Sequence, residues 1–364
     1  MHKIFMATGC YIQGPGSLDL VGEKAATLGK RAALICDAGV RRLIEDRLAK
    51  SFAAAGLSAV TYPFAGEITV AAIEKLTAQA RADTIDVVIG AGGGKALDAA
   101  KGVARRLAIP FISVPTIAST DAPAARGIVV YDDAHRVVAV EQMERNPDFV
   151  IVDIGLIAKA PPRFLRAGIG DAISKKYEAH GCWVGTGFNK HKTRPMKTAI
   201  LIADACYDIV RQHGVAAMRA VEKSEVSDDL EYVVEAAVLL STLAFENGGL
   251  SIAHALAPPL GVVRGACNAL HGEHVAYATL VQMTTEQRPD AEIDDVRNFL
   301  REIGLPVSLR DLGLPDPTDA EIEELASGTV ANPHMLNQPR PLTAADLARA
   351  IRAVEARSGV EACA

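Results

Sequence analysis

Asp86-Val-Val-Ile-Gly-Ala-Gly-Gly-Gly-Lys-Ala-Leu-Asp-Ala-Ala-Lys101 is the stretch on which the reading of this chain turns. A short β-branched run enters three consecutive glycines, Gly92, Gly93 and Gly94, and a helical pattern begins near Lys95. Glycines let the backbone turn sharply and approach a ligand closely. The helix that follows offers unpaired N–H groups and a partial positive charge at its start. Together these predict a pyrophosphate site. A plain strand-to-helix turn needs one glycine, so three in a row favour the phosphate reading. The spacing is not G-x-G-x-x-G, and the ordinary dinucleotide fingerprint does not apply.

Around this turn, short apolar runs alternate with helical segments. Ala32–Asp37, Ala59–Tyr62, Asp86–Gly90, Phe111–Val114 and Phe149–Asp153 read as strands. Between them RRLIEDRLAKSFAAAG and TVAAIEKLTAQARA carry apolar residues at three- and four-residue spacing, which is amphipathic helix. Such alternation predicts βαβ units and a buried parallel sheet. Ile128–Tyr131 and Val137–Val140, joined by DDAHR, read as a hairpin. Beyond Pro161 the strand signal stops. Thr198–Gln212, Asp228–Asn247 and Ala345–Ala356 read as long helices, the second started by Ser227–Asp228 and stopped by Gly248–Gly249. The expected division is an α/β nucleotide-binding domain over residues 1–160 and an all-helical domain over 161–364. Ala160-Pro161-Pro162 marks the boundary, because prolines disfavour helix in the residue before them. A cleft between two domains is where a ligand is expected.

The composition removes some function classes. The 364 residues carry a formal net charge of -6, with no overall basic excess for binding phosphate backbones. The six cysteines are scattered without a C-x-x-C pair, so neither a disulfide framework nor a thiolate zinc site is expected. No stretch reaches the roughly 18 apolar residues of a membrane span, and the N-terminal residues lack a long apolar h-region. The cytoplasm is the expected compartment.

Several isolated polar residues then become candidates. Asp37 closes a strand, where a carboxylate can bond ribose hydroxyls and repel a 2′-phosphate. A simple strand-ending Asp is an equal reading. The segment Val114-Pro-Thr-Ile-Ala-Ser-Thr-Asp-Ala-Pro123 would place hydroxyls and Asp121 at the sheet's carboxyl edge, where ligands bind in open α/β sheets. In the helical half, Asp171, His254 and His271 stand in apolar surroundings. Two histidines and a carboxylate form a catalytic zinc set with a fourth position left open, and the same set suits iron(II). The three are far apart in sequence, and a lone helix histidine is more often a satisfied core residue than a ligand. His180, His191 and His274 read as surface groups or as groups behind the ligands.

The motifs GAGGGKALDAAK (Gly90–Lys101), PTIASTDAP (Pro115–Pro123), RFLRAGIGDA (Arg163–Ala172), GGLSIAHAL (Gly248–Leu256) and HGEHVAYATLVQM (His271–Met283) occur in this order. With the lead-in IFMATGCYIQGPGSL, they resemble the iron-containing alcohol dehydrogenase superfamily, and within it the glycerol dehydrogenase branch. The resemblance implies a dehydroquinate synthase-like fold, with an NAD-binding α/β domain and a metal-binding helical domain. It implies Asp171, His254 and His271 as metal ligands. Gly93, Gly94 and Lys95 would contact the cofactor phosphates. Thr116, Ser119 and Tyr131 would border the cofactor, Asp37 would hold the adenosine ribose, and Asp121 would bind a substrate hydroxyl. The implied activity is NAD-dependent oxidation of glycerol or a related vicinal diol, in a homo-oligomer anywhere from a dimer to an octamer. Neither a nucleic acid nor a membrane is an expected partner.

Departures from the pattern matter for the metal and the substrate. Iron-binding relatives place a fourth ligand, a histidine, one turn after the Asp, and here that position is Lys175. This resembles a three-ligand zinc-type site, with Fe2+ still open. The stretch TDAPCSALSVIY reads TDAPAARGIVVY, which removes a hydroxyl at Ala125 and adds Arg126. HAxHNG reads His254-Ala-Leu-Ala-Pro-Pro. The added cations leave a 2-hydroxy acid or a polyol phosphate as alternative substrates. A lyase resembling 3-dehydroquinate synthase is a further alternative.

Overall fold

The structure, a computed structural model, describes residues 2–132 and 136–361. The chain divides into two compact units. One comprises Met6–Pro161 and Ala220–Val234. The other takes the described residues up to Phe5, then Pro162–Arg219, then Glu235 onward. The return of Ala220–Val234 to the first unit has no counterpart in a reading that simply divides the chain at residue 160.

The first unit is built on a parallel sheet. Its strands are β1 (Cys10–Gly14), β2 (Arg31–Cys36), β3 (Ser58–Pro63), β4 (Val87–Gly92), β5 (Phe111–Pro115) and β8 (Phe149–Asp153), in the order β1-β8-β5-β4-β2-β3. Crossover helices α2 (Ala38–Ala54), α3 (Val70–Ala82) and α4 (Gly94–Leu107) join successive strands, and α1 (Val21–Ala26) and α5 (Ile154–Ile157) are shorter. Side chains alternate across a strand, and the two cores follow that period. Ala33, Ile35 and Val88 pack with Ile73, Val103 and Phe111 on one face. Ala32, Leu34, Val87 and Ile89 pack with Ile44, Leu48 and Ile151 on the other. Covering both faces is what an all-parallel sheet requires.

β6 (Gly127–Tyr131) and β7 (Val137–Gln142) form the antiparallel hairpin. Residues 133–135 of its DDAHR connection lie outside the described residues. β1 is the strand that sequence periodicity does not reveal. Its Cys10-Tyr-Ile-Gln-Gly14 has no apolar alternation, and it is strand because it pairs in parallel register along β8. Gly9 precedes it where a Cβ would meet the Asp148 carbonyl at 2.7 Å.

The second unit is helical: α6 (Pro162–Ile173), α7 (Lys175–Val184), most of α8 (Lys197–Glu222), α10 (Ser241–Gly248), α11 (Ile252–Leu260), α12 (His271–Thr285), α13 (Asp290–Glu302), α14 (Asp319–Val330) and α15 (Ala344–Glu361). The expected single helix over Asp228–Asn247 is interrupted. α9 (Asp228–Glu235) passes through a π-helical turn at Ala236–Leu240 into α10. Its ends are as the local residues dictate: Leu230 N–H donates to Ser227 Oγ at 3.2 Å, and Gly249 takes φ +104°. Among the described residues no single helix is long and apolar enough to cross a membrane. Cys10, Cys36, Cys182, Cys206 and Cys267 are free thiols, and Cys363 lies outside the described residues.

Candidate active site

In the α/β unit, three adjacent strands bring the candidate cofactor residues to one edge. β2 pairs with β4, and β4 with β5, so Asp37, the glycine turn and Thr116 follow the carboxyl ends of neighbouring strands. Thr116 N–H donates to the Gly92 carbonyl at 3.1 Å. Gly92 takes φ +140°, and a Cβ there would face Asp37 Oδ2 at 3.8 Å. A Cβ on Gly93 would meet Ile117 Cδ1 at 2.8 Å, whereas Gly94 looks into open space. Gly93 is the N-cap of α4 and provides no side-chain hydrogen bond, so the first amides of that helix have no capping side chain. Asp37 has a structural duty too. Its Oδ1 accepts from Gly39 N–H at 2.7 Å and Val40 N–H at 2.9 Å, capping α2. Both readings of Asp37 therefore have atoms to serve them.

Lys95 Nζ lies 2.9 Å from Glu67 Oε2. The ammonium is half-exposed, so the pair is a weak tie that a bound anion can break. Tyr131 is anchored through its N–H to the Ile68 carbonyl at 2.8 Å. Burial, then Asp98 and Glu67, raise its phenol pKa. Ser119 and Asp121 sit, partly buried, in the loop between β5 and β6. Arg126 Nη1 reaches toward the Met143 carbonyl at 3.4 Å.

Sequence reasoning passed over Asp98 and Lys101, which lie inside the glycine-turn motif. Lys101 is fully buried. Its ammonium donates to Asp98 Oδ1 at 3.0 Å, the Ala122 carbonyl at 2.6 Å and the Gly127 carbonyl at 3.1 Å. Asp98 Oδ2 accepts from Val129 N–H at 2.9 Å. One buried pair thus ties α4 to the loop that carries Asp121, at Ala122, and to β6, which follows it.

In the helical unit, Asp171 comes from the last turn of α6, His254 from α11 and His271 from the first position of α12. One potential ligand atom from each lies within 4.8 Å of the others. His254 Nε2 is 3.2 Å from Asp171 Oδ1, and the two imidazoles meet edge-on with centroids 5.2 Å apart. Gly170 and Gly272 permit this approach of α6 and α12, for a Cβ on Gly272 would lie 1.8 Å from the Ala167 carbonyl. α11 runs on through Pro258 and Pro259 to Leu260, so the altered segment after His254 stays helical.

In the helical unit, Glu178 of α7 is a further group that the sequence does not single out. It is fully buried. Its Oε2 is 2.7 Å from His254 Nδ1 and accepts from Ser174 Oγ at 2.9 Å. Its Oε1 accepts from Ser251 N–H at 2.8 Å and His254 N–H at 3.0 Å. Burial alone would raise its pKa, but His254, Lys175 and these donors hold it down to about 2. A carboxylate behind the imidazole fixes the ring so that Nε2 faces Asp171. Burial opposes protonation of His254, while Glu178 and Asp171 outweigh it and raise the pKa. Desolvation, then His254 and Lys175, bring His271 down to about 4. For Asp171, burial is opposed by Lys175 and His254, which hold it well below the usual carboxylate range. The Lys175 ammonium is fully buried, 2.5 Å from Asp171 Oδ1 and 3.2 Å from His254 Nε2.

Among the described residues, the other histidines stay outside this cluster. His180 pairs with Asp204 at 2.8 Å, His191 with Asn247 at 3.0 Å, and His274 with the Ala266 carbonyl at 2.8 Å. His334 lies 3.3 Å from Lys190 Nζ. Burial, then that ammonium, hold its pKa down to about 3. The unfolded chain binds this proton near pH 6.5, so below that pH the unfolded state takes up more protons. Stability is full above pH 6.5 and is lost as pH falls toward about 3, with a limiting slope of about 1.4 kcal/mol per pH unit, less for solvent screening. Thermal unfolding between pH 7 and pH 4.5 should show a falling Tm, and His334→Gln should flatten part of the fall. An identical slope in the variant would remove His334 from the account.

A sequence profile of iron-containing alcohol dehydrogenases matches residues 9–154. A glycolaldehyde reductase of Halobacterium salinarum is 37% identical over 326 residues, covering 90% of this chain and 89% of that protein. A glycerol dehydrogenase of Thermotoga maritima is 37% identical over 349 residues, covering 95% of each. The crystal structure of a probable glycerol dehydrogenase from Sinorhizobium meliloti 1021 superposes with a TM-score of 0.92 at 35% identity, covering 99% of this chain and 100% of that one.

Proposed function

The chain belongs to the iron-containing alcohol dehydrogenase family, a family of metal- and NAD-dependent oxidoreductases, and from that membership we propose that its substrate is glycerol or a related vicinal diol. The net reaction takes glycerol and NAD+ to dihydroxyacetone, NADH and a proton. The observation that carries this reading is the convergence of Asp171, His254 and His271 with Glu178 behind His254. One carboxylate oxygen and two imidazole nitrogens within 4.8 Å of one another fit a divalent cation. With Lys175 where a fourth protein ligand would stand, zinc is our assignment, with iron(II) the alternative.

When bound, the ion supplies Lewis acidity that lowers the pKa of a substrate hydroxyl. The residues of the chain do the rest. The amides at Gly93, Gly94 and Lys95 would receive the cofactor pyrophosphate. Thr116, Ser119 and Tyr131 would line its path, and Asp37 would accept from the adenosine ribose and discriminate against a 2′-phosphate. Asp121 would accept a hydrogen bond from a substrate hydroxyl. The free thiols support a reducing, cytoplasmic setting. The exposed apolar side chains of Trp183, Val184 and Phe188 support a homo-oligomer.

A second reading, a 2-hydroxy acid or polyol phosphate as substrate, is favoured by Lys175 within the triad and Arg126 beside the Asp121 loop. The test is NADH formation by metal-stripped and zinc-reloaded enzyme with glycerol, 1,2-propanediol, a 2-hydroxy acid and glycerol phosphate. Zinc-restored turnover of glycerol or the diol is the expected result. Turnover of the acid or phosphate alone would transfer the assignment to the second reading. Tight zinc and NAD binding with no turnover would point to the lyase or to a non-catalytic metabolite-binding protein.

A further inference from the structure

A lysine whose ammonium is buried against prospective metal ligands poses a problem of charge. Lys175 Nζ has no exposure to solvent and touches Asp171 Oδ1 at 2.5 Å and His254 Nε2 at 3.2 Å. An ion bonded to that carboxylate oxygen at ~2.2 Å would stand within the sum of the two distances, about 4.7 Å, of the ammonium. In a buried site, like charges so close repel strongly. We propose that Lys175 is a built-in competitor of the divalent ion: its ammonium neutralises Asp171 in the metal-free enzyme, and metal binding must displace it from that carboxylate. The inference rests on reading the triad as a metal site.

The surroundings supply both halves of such an exchange. Asp171 is almost fully buried, and a carboxylate held away from water is costly unless a cation stands against it. Lys175 keeps the pocket's charge balanced and its geometry set. On displacement, the ammonium has a neighbour to turn toward, since the Phe245 ring centroid lies 5.7 Å from Nζ. Two consequences follow. The fold survives removal of the metal, and the metal is held more weakly than a triad backed by Glu178 would otherwise hold it.

The test compares wild type with Lys175→Met, nearly isosteric and uncharged, and Lys175→Arg, which retains the charge. Zinc affinity is read by competition with a chromophoric chelator, cobalt(II) occupancy by visible absorption, and Tm with and without EDTA. Lys175→Met should bind zinc about 10- to 100-fold tighter than wild type. It should also show the larger drop in Tm on chelation, and Lys175→Arg should not gain affinity. Lys175→Met that folds only when zinc is supplied gives the same answer. Equal zinc affinity in wild type and Lys175→Met would overturn the competition and leave the metal site standing. So would tightening in the arginine variant as well, or a methionine variant that fails to fold with or without zinc. Folded wild type and Lys175→Met that both fail to bind zinc or cobalt would overturn the metal site and the inference with it.

Discussion

His254→Ala is expected to lose divalent metal and dehydrogenase turnover together while keeping its affinity for NAD. The imidazole is held from one side by Glu178 at 2.7 Å and presents its other nitrogen toward Asp171 at 3.2 Å. Removing it takes away one of three donors and also deprives the positioning carboxylate of its imidazole partner. Loss of an outer partner alone costs about 10- to 100-fold in metal affinity or activity, so Glu178→Gln should fall in that range. Loss of the donor should exceed it, with zinc affinity and kcat/KM down by more than about 100-fold. A thermal penalty accompanies the change, because Glu178 stays buried with one hydrogen bond fewer, a cost of about 1–3 kcal/mol. Circular dichroism and NAD titration establish that the variant is folded and competent to bind cofactor. Metal analysis and NADH formation then read the site. A metal-free His254→Ala enzyme that still turned over would refute the assignment.

The contrast between His254 and Glu178 shows what a sequence can and cannot display. His254 and His271 stand out as polar residues in apolar segments, and their motifs carry the family resemblance. Glu178 lies in Lys175-Lys-Tyr-Glu-Ala-His180, where a charged neighbourhood on a helix reads as a solvated face. Its burial depends on α7 facing α10 and the turn before α11, a long-range arrangement that local periodicity does not encode. A signal was available in the spacing: Asp171, Lys175 and Glu178 follow one another at four and three residues, which places them on one side of a continuous helical path. Three ionisable groups on an otherwise apolar face are hard to solvate separately and easier to satisfy together.

The sheet was legible for a similar reason. Strands buried on both faces are continuous apolar runs, and β2, β4, β5 and β8 have that form. β1 lies at an edge, is partly exposed, and contains Gln13, whose amide is spent on the Glu231 carbonyl at 2.9 Å. Its partner there, α9, belongs to the excursion of Ala220–Val234 into the α/β unit. Neither feature is local. An edge strand and a returning helix are stabilised by each other, and each alone reads as a polar segment of indifferent propensity.

Lys101→Met tests the other buried charge pair, the one that ties the glycine turn's helix to the Asp121 loop. The substitution preserves length and removes three hydrogen bonds, to Asp98 and to the carbonyls of Ala122 and Gly127. It leaves the Asp98 carboxylate buried with its Val129 amide bond. Removing one partner of a buried pair costs about 3–5 kcal/mol, mostly from the charge left behind. A marked fall in Tm is therefore expected, accompanied by a higher KM for NAD, because Thr116, Ser119 and Asp121 share the loop that Lys101 holds. The double variant Asp98→Asn/Lys101→Met separates the two causes. It removes the stranded charge but keeps an oxygen for Val129 N–H, so it should recover part of the stability. It should not recover the NAD affinity, since the carbonyls of Ala122 and Gly127 still lack their donor. A Lys101→Met enzyme within about 1 kcal/mol of wild type, with unchanged KM for NAD, would show that the loop holds its shape without this lysine.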